Sequence, residues 1–228
     1  MKVHRFILEF TGDKITDKEF VNQVHNVLKL KKGEQIILTD GKMKESLVEI
    51  VELNKSIVEV RILKTYQNEN EPRVDVTLYC SILKRENFEW VVQKATEIGV
   101  KEIVPIISKR TVKLNLNQER LEKIAKEAVE QSGRGMVPVM KVPMHFEQAL
   151  EDAKKNEVNV FFDASGERIV DLAGKKRIGL FIGPEGGWDE KELELAKNNG
   201  YIIANLGKLT LRGETAAMVA AYKVLSMS

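Results

Sequence analysis

The sequence predicts an α/β protein of two domains, a small β-barrel over residues 1–70 and a larger, mostly parallel α/β domain over residues 73–228. Two different sequence patterns predict this division. Short β-rich segments follow one another up to about residue 66, whereas strand and helix patterns alternate from Val74 onward. Between them lies a polar stretch, residues 67–72, which has no large apolar residue and ends in Pro72. We place the domain boundary there.

The first domain is predicted to contain four strands and one helix. The strands are expected over residues 3–10, 35–39, 47–53 and 57–63, where β-rich stretches lie between turn-forming residues. A helix is expected over residues 17–30, because apolar residues recur there at helical spacing, namely Phe20, Val21, Val24, Val27 and Leu28. This succession is typical of a small barrel.

The second domain is predicted to alternate strands with helices. The strands are expected over residues 74–83, 103–107, 158–162, 178–182 and 202–206. The helices are expected over residues 88–98, 118–131, 146–153 and 190–198, with a last helix from about Glu214. Alternation of this kind indicates a mostly parallel sheet with helices on both faces.

Local signals mark the ends of two of these helices. Asn87 is a candidate cap for the helix over residues 88–98, and Gly99 is expected to close it. Asp189 with Glu192 forms an acidic variant of the capping box before the helix over residues 190–198, and Gly200 is expected to close that helix.

Composition excludes several classes of protein. The 228 residues carry 36 basic and 34 acidic side chains and a single cysteine. One cysteine forms no intramolecular disulfide and no thiolate metal cage, and the first residues lack a leader pattern, so we expect a cytoplasmic protein without a metal site. Apolar runs reach about five residues, far short of the about 20 that span a membrane. Cys80, in a predicted core strand, and His145 are interpreted as structural.

Positive charge is concentrated in one stretch of the chain. Residues 1–72 balance 12 basic against 12 acidic side chains, whereas residues 108–143 carry eight basic against four acidic ones. A local surplus of this size fits contact with phosphates. The alternative is a solvated helix face, because acidic and basic residues such as Glu119 and Lys123 stand at four-residue spacing. Composition alone leaves both interpretations open.

The most informative stretch is residues 182–189, with the sequence IGPEGGWD, directly after an apolar strand and before the capped helix. Ligands of open α/β sheets bind at the carboxyl ends of strands, so we expect a small molecule here. The stretch lacks the lysine of a nucleotide-binding P-loop and the order of a dinucleotide fingerprint. Glu185 suits ribose hydroxyls or a cationic group better than a polyphosphate. A tight turn without a ligand is the alternative.

A second loop follows the next predicted strand, over residues 206–216. Its leucines, Leu206, Leu209 and Leu211, are suited to hold a flat base while backbone groups read its edge, and core packing is their alternative role. The apolar run over residues 216–221 predicts a buried helix that is a candidate for a subunit interface.

These two loops, in this order, resemble those of the SPOUT RNA methyltransferases and, more narrowly, of the RsmE family, which methylates N3 of a uridine in 16S ribosomal RNA. Residues 88–100 and residues 127–134 with Pro138 are similar to two signature segments of that family. The segment over residues 4–6 and that over residues 25–30 are similar to its PUA-like RNA-binding domain, as are residues 40–41. The resemblance covers essentially the whole chain.

The resemblance implies a fold, a cofactor and partners. It implies a PUA-like barrel followed by a SPOUT sheet with a deep trefoil knot, a homodimer, S-adenosyl-L-methionine as cofactor, and 16S ribosomal RNA or the small ribosomal subunit as substrate. Carried over residue by residue, the cofactor contacts are Phe162, Asp163, Gly183, Pro184, Glu185, Gly186, Gly187, Leu206, Gly207, Leu211, Arg212 and Thr215.

Arg212 is the candidate catalytic residue, because a guanidinium hydrogen-bonded to a uracil oxygen would stabilise a developing anion. No residue stands out as the base. The candidate RNA contacts are His4, Arg5, His25, Lys29, Lys94, Lys109, Arg110, Lys113 and Arg134. Lys29 stands where the family has arginine and loses the planar fork, and Gly213 stands where threonine is common.

Two other functions remain open on the sequence. One is a SPOUT enzyme that acts on another RNA, for example on a ribose 2′-hydroxyl of transfer RNA. The other is a non-catalytic RNA-binding protein with a degenerate pocket.

Overall fold

The computed structural model describes residues 3–112, 115–168 and 172–227, with the side chain of Arg85 left out. The chain divides into two compact units, one formed by Met1–Glu71 and Val129–Val137 and the other by Pro72–Ala128 and Pro138–Ser228. The predicted second domain, residues 73–228, includes the segment Val129–Val137, which the structure groups with the first unit; the predicted domain bounds stay a prediction. A domain boundary placed by local sequence patterns cannot show that a later segment, such as Val129–Val137, packs with an earlier domain.

The first unit is built on a five-stranded sheet. Its strands are β1 (His4–Ile7), β2 (Lys14–Ile15), β3 (Gln35–Thr39), β4 (Lys44–Leu53) and β5 (Val58–Gln67). They lie in the order β1-β3-β4-β5-β2, in which only the β1–β3 pair is parallel. The sheet curls into a half-barrel rather than a closed barrel, and its apolar face buries Ile36, Val48 and Ile50 completely.

A short helical segment covers the core of this sheet. Helix α1 (Lys18–Asn22) begins after Asp17, whose Oδ1 accepts a hydrogen bond from the Phe20 amide at 2.8 Å. A π-helical turn over Gln23–Val27 follows it, so the single helix predicted over residues 17–30 is two shorter pieces. The Phe20 ring packs edge-on against Phe6 at 5.1 Å, which ties the helix to β1.

The segment Val129–Val137 is fixed to the first unit by hydrogen bonds and one ion pair. The Gly133 carbonyl accepts hydrogen bonds from the Asn68 and Asn70 side chains, at 3.0 and 2.9 Å. Arg134 pairs with Glu71, whose Oε1 also accepts hydrogen bonds from two backbone amides of the segment. These long-range bonds explain why the segment leaves the domain that its neighbours in sequence form.

The second unit contains a seven-stranded sheet in which every pairing is parallel. Its strands are β6 (Asp75–Ser81), β7 (Glu102–Ile107), β8 (Val139–Met140), β9 (Met144–His145), β10 (Val158–Arg168), β11 (Arg177–Ile182) and β12 (Ile202–Asn205). The order is β12-β10-β11-β6-β7-β8, with β9 paired to β7. The parallel sheet predicted from the sequence is confirmed. Neighbouring parallel strands end at the same edge, so the loops after β11 and β12 meet there, beside the end of β10.

In the described ranges, five α-helices accompany this sheet. They are α2 (Arg85–Ile98), α3 (Gln118–Ser132), α4 (Phe146–Asp152), α5 (Glu190–Asn198) and α6 (Gly213–Leu225). Helix α2 begins at Arg85 with Lys84 as its cap residue, so the prediction of Asn87 as the cap is wrong. Gly99 closes the helix in a left-handed conformation, at φ 110°. The trefoil knot implied by the resemblance stays a prediction.

An aromatic cluster fills the core of the second unit. Tyr79 stacks on Phe181 at 4.4 Å, and Phe161 contacts the Trp188 ring at the same distance. Cys80 is also fully buried in β6, and burial raises the pKa of its thiol. This is the structural position that the sequence predicted. Within the described part of the chain, no helix has the length and apolar character needed to cross a membrane.

Candidate active site

A cavity of about 1120 Å³ lies at the carboxyl ends of β10, β11 and β12. Three segments form its wall: the bulged second half of β10, the loop over residues 183–189 after β11, and the loop over residues 206–212 after β12. We call the second of these the glycine loop. Ligands of open α/β sheets bind at this edge, outside the carboxyl ends of the strands.

The structure brings together eleven of the twelve predicted cofactor residues. Those that line the cavity are Phe162, Asp163, Gly183, Pro184, Glu185, Gly186, Gly187, Leu206, Gly207, Leu211 and Arg212. Thr215 does not line it, whereas Ala216 does. Both lie in the first turns of α6, where successive side chains point about 100° apart, so the helix presents one and turns the other away.

The glycine loop depends on small residues for two different reasons. A Cβ at Gly183 would come within 3.0 Å of the Trp188 ring, so this glycine allows the indole to pack beneath the loop. Trp188 is buried there, and its Nε1 donates a hydrogen bond to the Phe162 carbonyl at 3.0 Å. Gly187 has φ +70° and faces open space, which leaves backbone accessible to a ligand. The turn and ligand interpretations of this loop are therefore compatible.

The side chain of Glu185 is partly committed to the protein. Its Oε1 accepts a hydrogen bond from the Lys84 amide, at the start of α2, at 3.1 Å. This bond fixes the glycine loop to the segment that follows β6. Glu185 remains exposed and lines the cavity.

A bulge in β10 forms a part of the site that the sequence did not reveal. The predicted strand ended at residue 162, but β10 continues to Arg168, and its register against β12 shifts between Phe162 and Glu167. Asp163 stabilises this bulge, because its Oδ1 accepts hydrogen bonds from the amide and hydroxyl of Ser165, at 2.8 and 2.6 Å. Gly166 passes so close to the Ala204 backbone that a Cβ would lie 2.5 Å from its nitrogen. No local sequence pattern reveals this close approach, so the sequence analysis predicted neither the full length of β10 nor its bulge.

The mouth of the cavity is cationic. Arg168, Lys208 and Arg212 all line it, and all three are exposed. Among the residues that the structure describes, none of the three forms an ion pair with a carboxylate. The sequence analysis named neither Arg168 nor Lys208 as a site residue: Arg168 lies beyond the predicted end of its strand, and Lys208 lies in the second loop without matching a residue of the resemblance.

Arg212 occupies the cap position of α6, with extended backbone and no side-chain bond to the helix. Its guanidinium is thus available to a bound molecule. Next to it, Glu214 holds its Oε2 buried without a hydrogen-bond partner among the described residues. No metal group occurs either: in the described ranges, His, Cys, Asp and Glu do not gather in threes as ligands of an ion would.

Two of the predicted RNA contacts are taken up by ion pairs inside the first unit. Arg134 is 5% exposed and binds both oxygens of Glu71, at 3.1 and 2.8 Å. Arg5 binds both oxygens of Glu45, which is itself buried, at 3.0 and 3.2 Å. Both arginines therefore have a structural partner in the first unit, and their role as phosphate contacts stays a prediction.

The remaining predicted RNA contacts have mixed surroundings. Lys29 is exposed with a left-handed backbone, and His4 and His25 are half-buried. In the second unit, Lys94 pairs with Glu97 at 2.8 Å. Lys109 and Arg110 bond to the glycine loop and its neighbourhood, and Lys113 lies outside the described residues.

Comparison with known proteins gives consistent matches along the whole chain. A profile described as an RNA methyltransferase domain matches residues 69–225, and one described as an RNA methyltransferase PUA domain matches residues 26–63. A ribosomal RNA small subunit methyltransferase E from Mesomycoplasma hyopneumoniae is 34% identical over 74% of this chain and 77% of its own length. A protein with the same name from Bacillus subtilis is 28% identical over 96% of this chain and 94% of its own length.

Solved structures of similar proteins extend this comparison to the fold. The ribosomal RNA small subunit methyltransferase E of Neisseria gonorrhoeae, crystallised with S-adenosyl methionine, has a TM-score of 0.89 and 29% identity, and the match covers 99% of this chain and 98% of that one. A putative methyltransferase from Legionella pneumophila, in complex with the same cofactor, has a TM-score of 0.84 and 28% identity over 99% and 98% of the two chains.

Proposed function

This chain belongs to the RsmE family of RNA methyltransferases, and from that premise we propose that it uses S-adenosylmethionine to methylate N3 of a uridine in 16S ribosomal RNA. The observation that carries the proposal is the cavity between the two glycine-bearing loops, at the carboxyl ends of three parallel strands. Ribosomal RNA as substrate places the activity in the cytoplasm.

The cavity fits the proposed cofactor in size and chemistry. Its volume of about 1120 Å³ lies just above the range of roughly 300–1,000 Å³ that is usual for small-molecule sites, so the cavity has room for the whole cofactor. Leu206 and Leu211 offer apolar contact to a flat base, while Asp163 and Glu185 offer carboxylates to hydroxyl or ammonium groups. When bound, S-adenosylmethionine supplies a methyl group that its sulfonium has already activated.

The chain's own residues then have to orient the acceptor and manage its charge. Holding two reacting groups in line contributes roughly 7–11 kcal/mol to a reaction of this kind. The N3 atom of uracil carries a proton that must leave, and negative charge develops on the uracil oxygens. Arg212 donates a hydrogen bond to one of these oxygens and stabilises that charge. A guanidinium donates hydrogen bonds and has no acceptor, so Arg212 does not accept the N3 proton itself.

We assign the RNA contacts to cations that remain exposed or half-buried. In the first unit these are His4, His25 and Lys29. In the second unit it is Lys94, which is half-buried and pairs with Glu97. A lysine contacts phosphate as a point charge, so Lys29 positions RNA without the bidentate geometry of arginine. A paired or stacked uridine must also leave its stack before N3 is reachable.

A homodimer is part of the proposal, and one exposed surface supports it. Helices α2 and α6 pack together and present large apolar side chains to solvent, with Trp90 exposed by 55% and Tyr222 by 67%. Val219 and Met227 add to this surface from the end of the chain. Large apolar side chains exposed on two packed helices suit an interaction site, and a second copy of the chain is the occupant that the family implies.

The experiment that tests the function is mass-spectrometric mapping. The protein is incubated with S-adenosylmethionine and either free 16S ribosomal RNA or small ribosomal subunits, and the digested RNA is searched for methylated nucleosides. We expect one uridine methylated at N3. A 2′-O-methylated nucleoside would contradict the proposed acceptor atom, and calorimetry without cofactor binding, at intact RNA affinity, would contradict catalysis altogether.

A further inference from the structure

The loop over residues 108–112, which follows β7, contacts the glycine loop through two cations. We call it the β7 loop. Arg110 donates a hydrogen bond from Nη1 to the Gly186 carbonyl at 2.9 Å. Lys109 contacts Asp189 Oδ2 with its Nζ at 2.8 Å, and this bond holds the pKa of the Asp189 carboxyl below its usual value. The two contacts reach the middle and the end of the glycine loop.

One buried carboxylate ties the backbones of the two loops together. Glu192, in the first turn of α5, is only 6% exposed. Its Oε1 accepts a hydrogen bond from the Lys109 amide at 2.8 Å, and its Oε2 accepts one from the Asp189 amide at 2.9 Å. Lys109 therefore meets the start of α5 through its backbone as well as its side chain.

The β7 loop is itself held in place. Ser108 is buried, and its Oγ accepts a hydrogen bond from the Ser81 hydroxyl, at the end of β6, at 3.1 Å. The Thr111 side chain accepts a hydrogen bond from the Ser108 amide at 3.0 Å and closes the loop on itself. A loop fixed in this way provides a rigid support for a neighbouring segment.

The glycine loop is the segment that gains most from such support. Gly186 and Gly187 have no side chains that could fix them, and glycine loses more conformational freedom on ordering than any other residue. The stem of Arg110 fills the space over Gly186, at 3.6 Å from where a Cβ would stand. A binding loop that is ordered beforehand costs less to order when the ligand binds.

We propose that Lys109 and Arg110 are positioning residues that order the glycine loop and thereby set the affinity for the cofactor. The inference rests on S-adenosylmethionine as the proposed cofactor. It reassigns two cations that the sequence pattern marked as phosphate contacts. Each bonds to the glycine loop, Arg110 to the Gly186 carbonyl and Lys109 to the Asp189 carboxylate.

Calorimetry with S-adenosylmethionine, in the absence of RNA, tests the proposal. We expect Arg110→Ala to weaken cofactor binding about tenfold, which is the effect of one hydrogen bond to a charged group, and the double variant with Lys109→Ala to weaken it further. Affinity for ribosomal RNA should change by less than about twofold, because no phosphate contact is lost. In turnover, the KM for S-adenosylmethionine should rise while kcat at saturating cofactor is kept.

The matched control is Arg177→Ala. Arg177 is exposed and donates a hydrogen bond to a backbone carbonyl, that of Lys155, but at the opposite end of β11 from the glycine loop. Its removal should leave cofactor affinity unchanged. Thermal unfolding of every variant shows whether it is folded, and Arg110→Lys, which keeps the charge but loses the planar fork, should fall between wild type and Arg110→Ala.

The outcomes separate the possible roles. Unchanged cofactor affinity would overturn the proposal, and if RNA affinity falls instead, both cations are phosphate contacts. Loss of both affinities in a folded variant would also overturn it, since a positioning residue moves only the first. The readout does not depend on the acceptor atom: if the enzyme methylates another position, the proposed function fails while the calorimetric result stands.

Discussion

Replacing Arg134 with alanine should destabilise the protein strongly. The guanidinium is 5% exposed and binds both oxygens of Glu71, which is 15% exposed. Such bidentate pairs are the strongest type of ion pair in proteins. The substitution leaves the largely buried Glu71 carboxylate without its counter-charge. It also removes the ion pair that joins the segment Val129–Val137 to the end of the stretch Met1–Glu71.

The expected loss follows from burial. Breaking a buried ion pair by removing one partner costs about 3–5 kcal/mol. Glu71 Oε1 keeps hydrogen bonds from the Gly135 and Met136 amides, at 3.0 and 3.1 Å, which places the loss near the lower end, at about 3 kcal/mol. For a chain of this length each kcal/mol shifts Tm by roughly 2–4 °C, so Tm should fall by roughly 6–12 °C.

Urea unfolding followed by circular dichroism, at neutral pH and in the absence of RNA, measures this loss. The control is Arg61→Ala, because Arg61 pairs with Glu49 at 3.0 Å but is 65% exposed, and exposed pairs contribute about 0–1 kcal/mol. If Arg134→Ala costs no more than this control, the ion pair does not stabilise the unit. If RNA affinity then falls as well, Arg134 is a phosphate contact after all.

Three further predictions concern catalysis, pH and assembly. Arg212→Ala should lower kcat by about 10²–10³-fold with dimerisation unchanged, and near-normal turnover with saturating S-adenosylmethionine would remove Arg212 from the mechanism. Burial raises the pKa of Tyr201 to about 12, so the folded chain keeps a proton that the unfolded chain loses near pH 10. The free energy of unfolding should therefore fall between about pH 10 and 12. Urea midpoints at about pH 9 and 11 measure this fall, which should be smaller in Tyr201→Phe. Tyr222→Asp should convert the dimer to a monomer in sedimentation, whereas a dimer that survives this charge would place the interface elsewhere.

The sequence predicted those parts of the fold that local chemistry determines. Helix α5 begins and ends as expected, because Asp189 and Glu192 form the capping box that the sequence shows. Strand β3 likewise has its predicted bounds, between a turn and a polar loop. Eleven of the twelve cofactor residues that the resemblance implies also line one cavity, because nine of them lie in the loops after β11 and β12 and the other two, Phe162 and Asp163, lie in the neighbouring strand β10.

What the sequence missed depends on contacts between distant residues. The bulge that brings Asp163 to the cavity forms because Gly166 passes the Ala204 backbone, 38 positions along the chain, and no local pattern reveals that approach. The return of Val129–Val137 to the first unit depends in the same way on Glu71 and Asn68. Both features are fixed by packing and hydrogen bonding across the chain rather than by propensity.

The basic stretch over residues 108–143 shows how far local charge can mislead. Its eight basic and four acidic side chains leave a surplus of four. In the structure, four carboxylates from outside the stretch pair with cations inside it, in the ion pairs Lys109–Asp189, Arg120–Glu89, Arg134–Glu71 and Lys141–Glu102. The surplus is thus offset by residues that are distant in sequence, and its cations order loops and join segments.

Positive charge free of carboxylate partners lies instead at the mouth of the cavity, on Arg168, Lys208 and Arg212, as far as the described residues show. An unpaired cation attracts a phosphate more strongly than one that must first leave a carboxylate, so these three cations are better suited to contact a nucleic acid than the paired cations of the basic stretch.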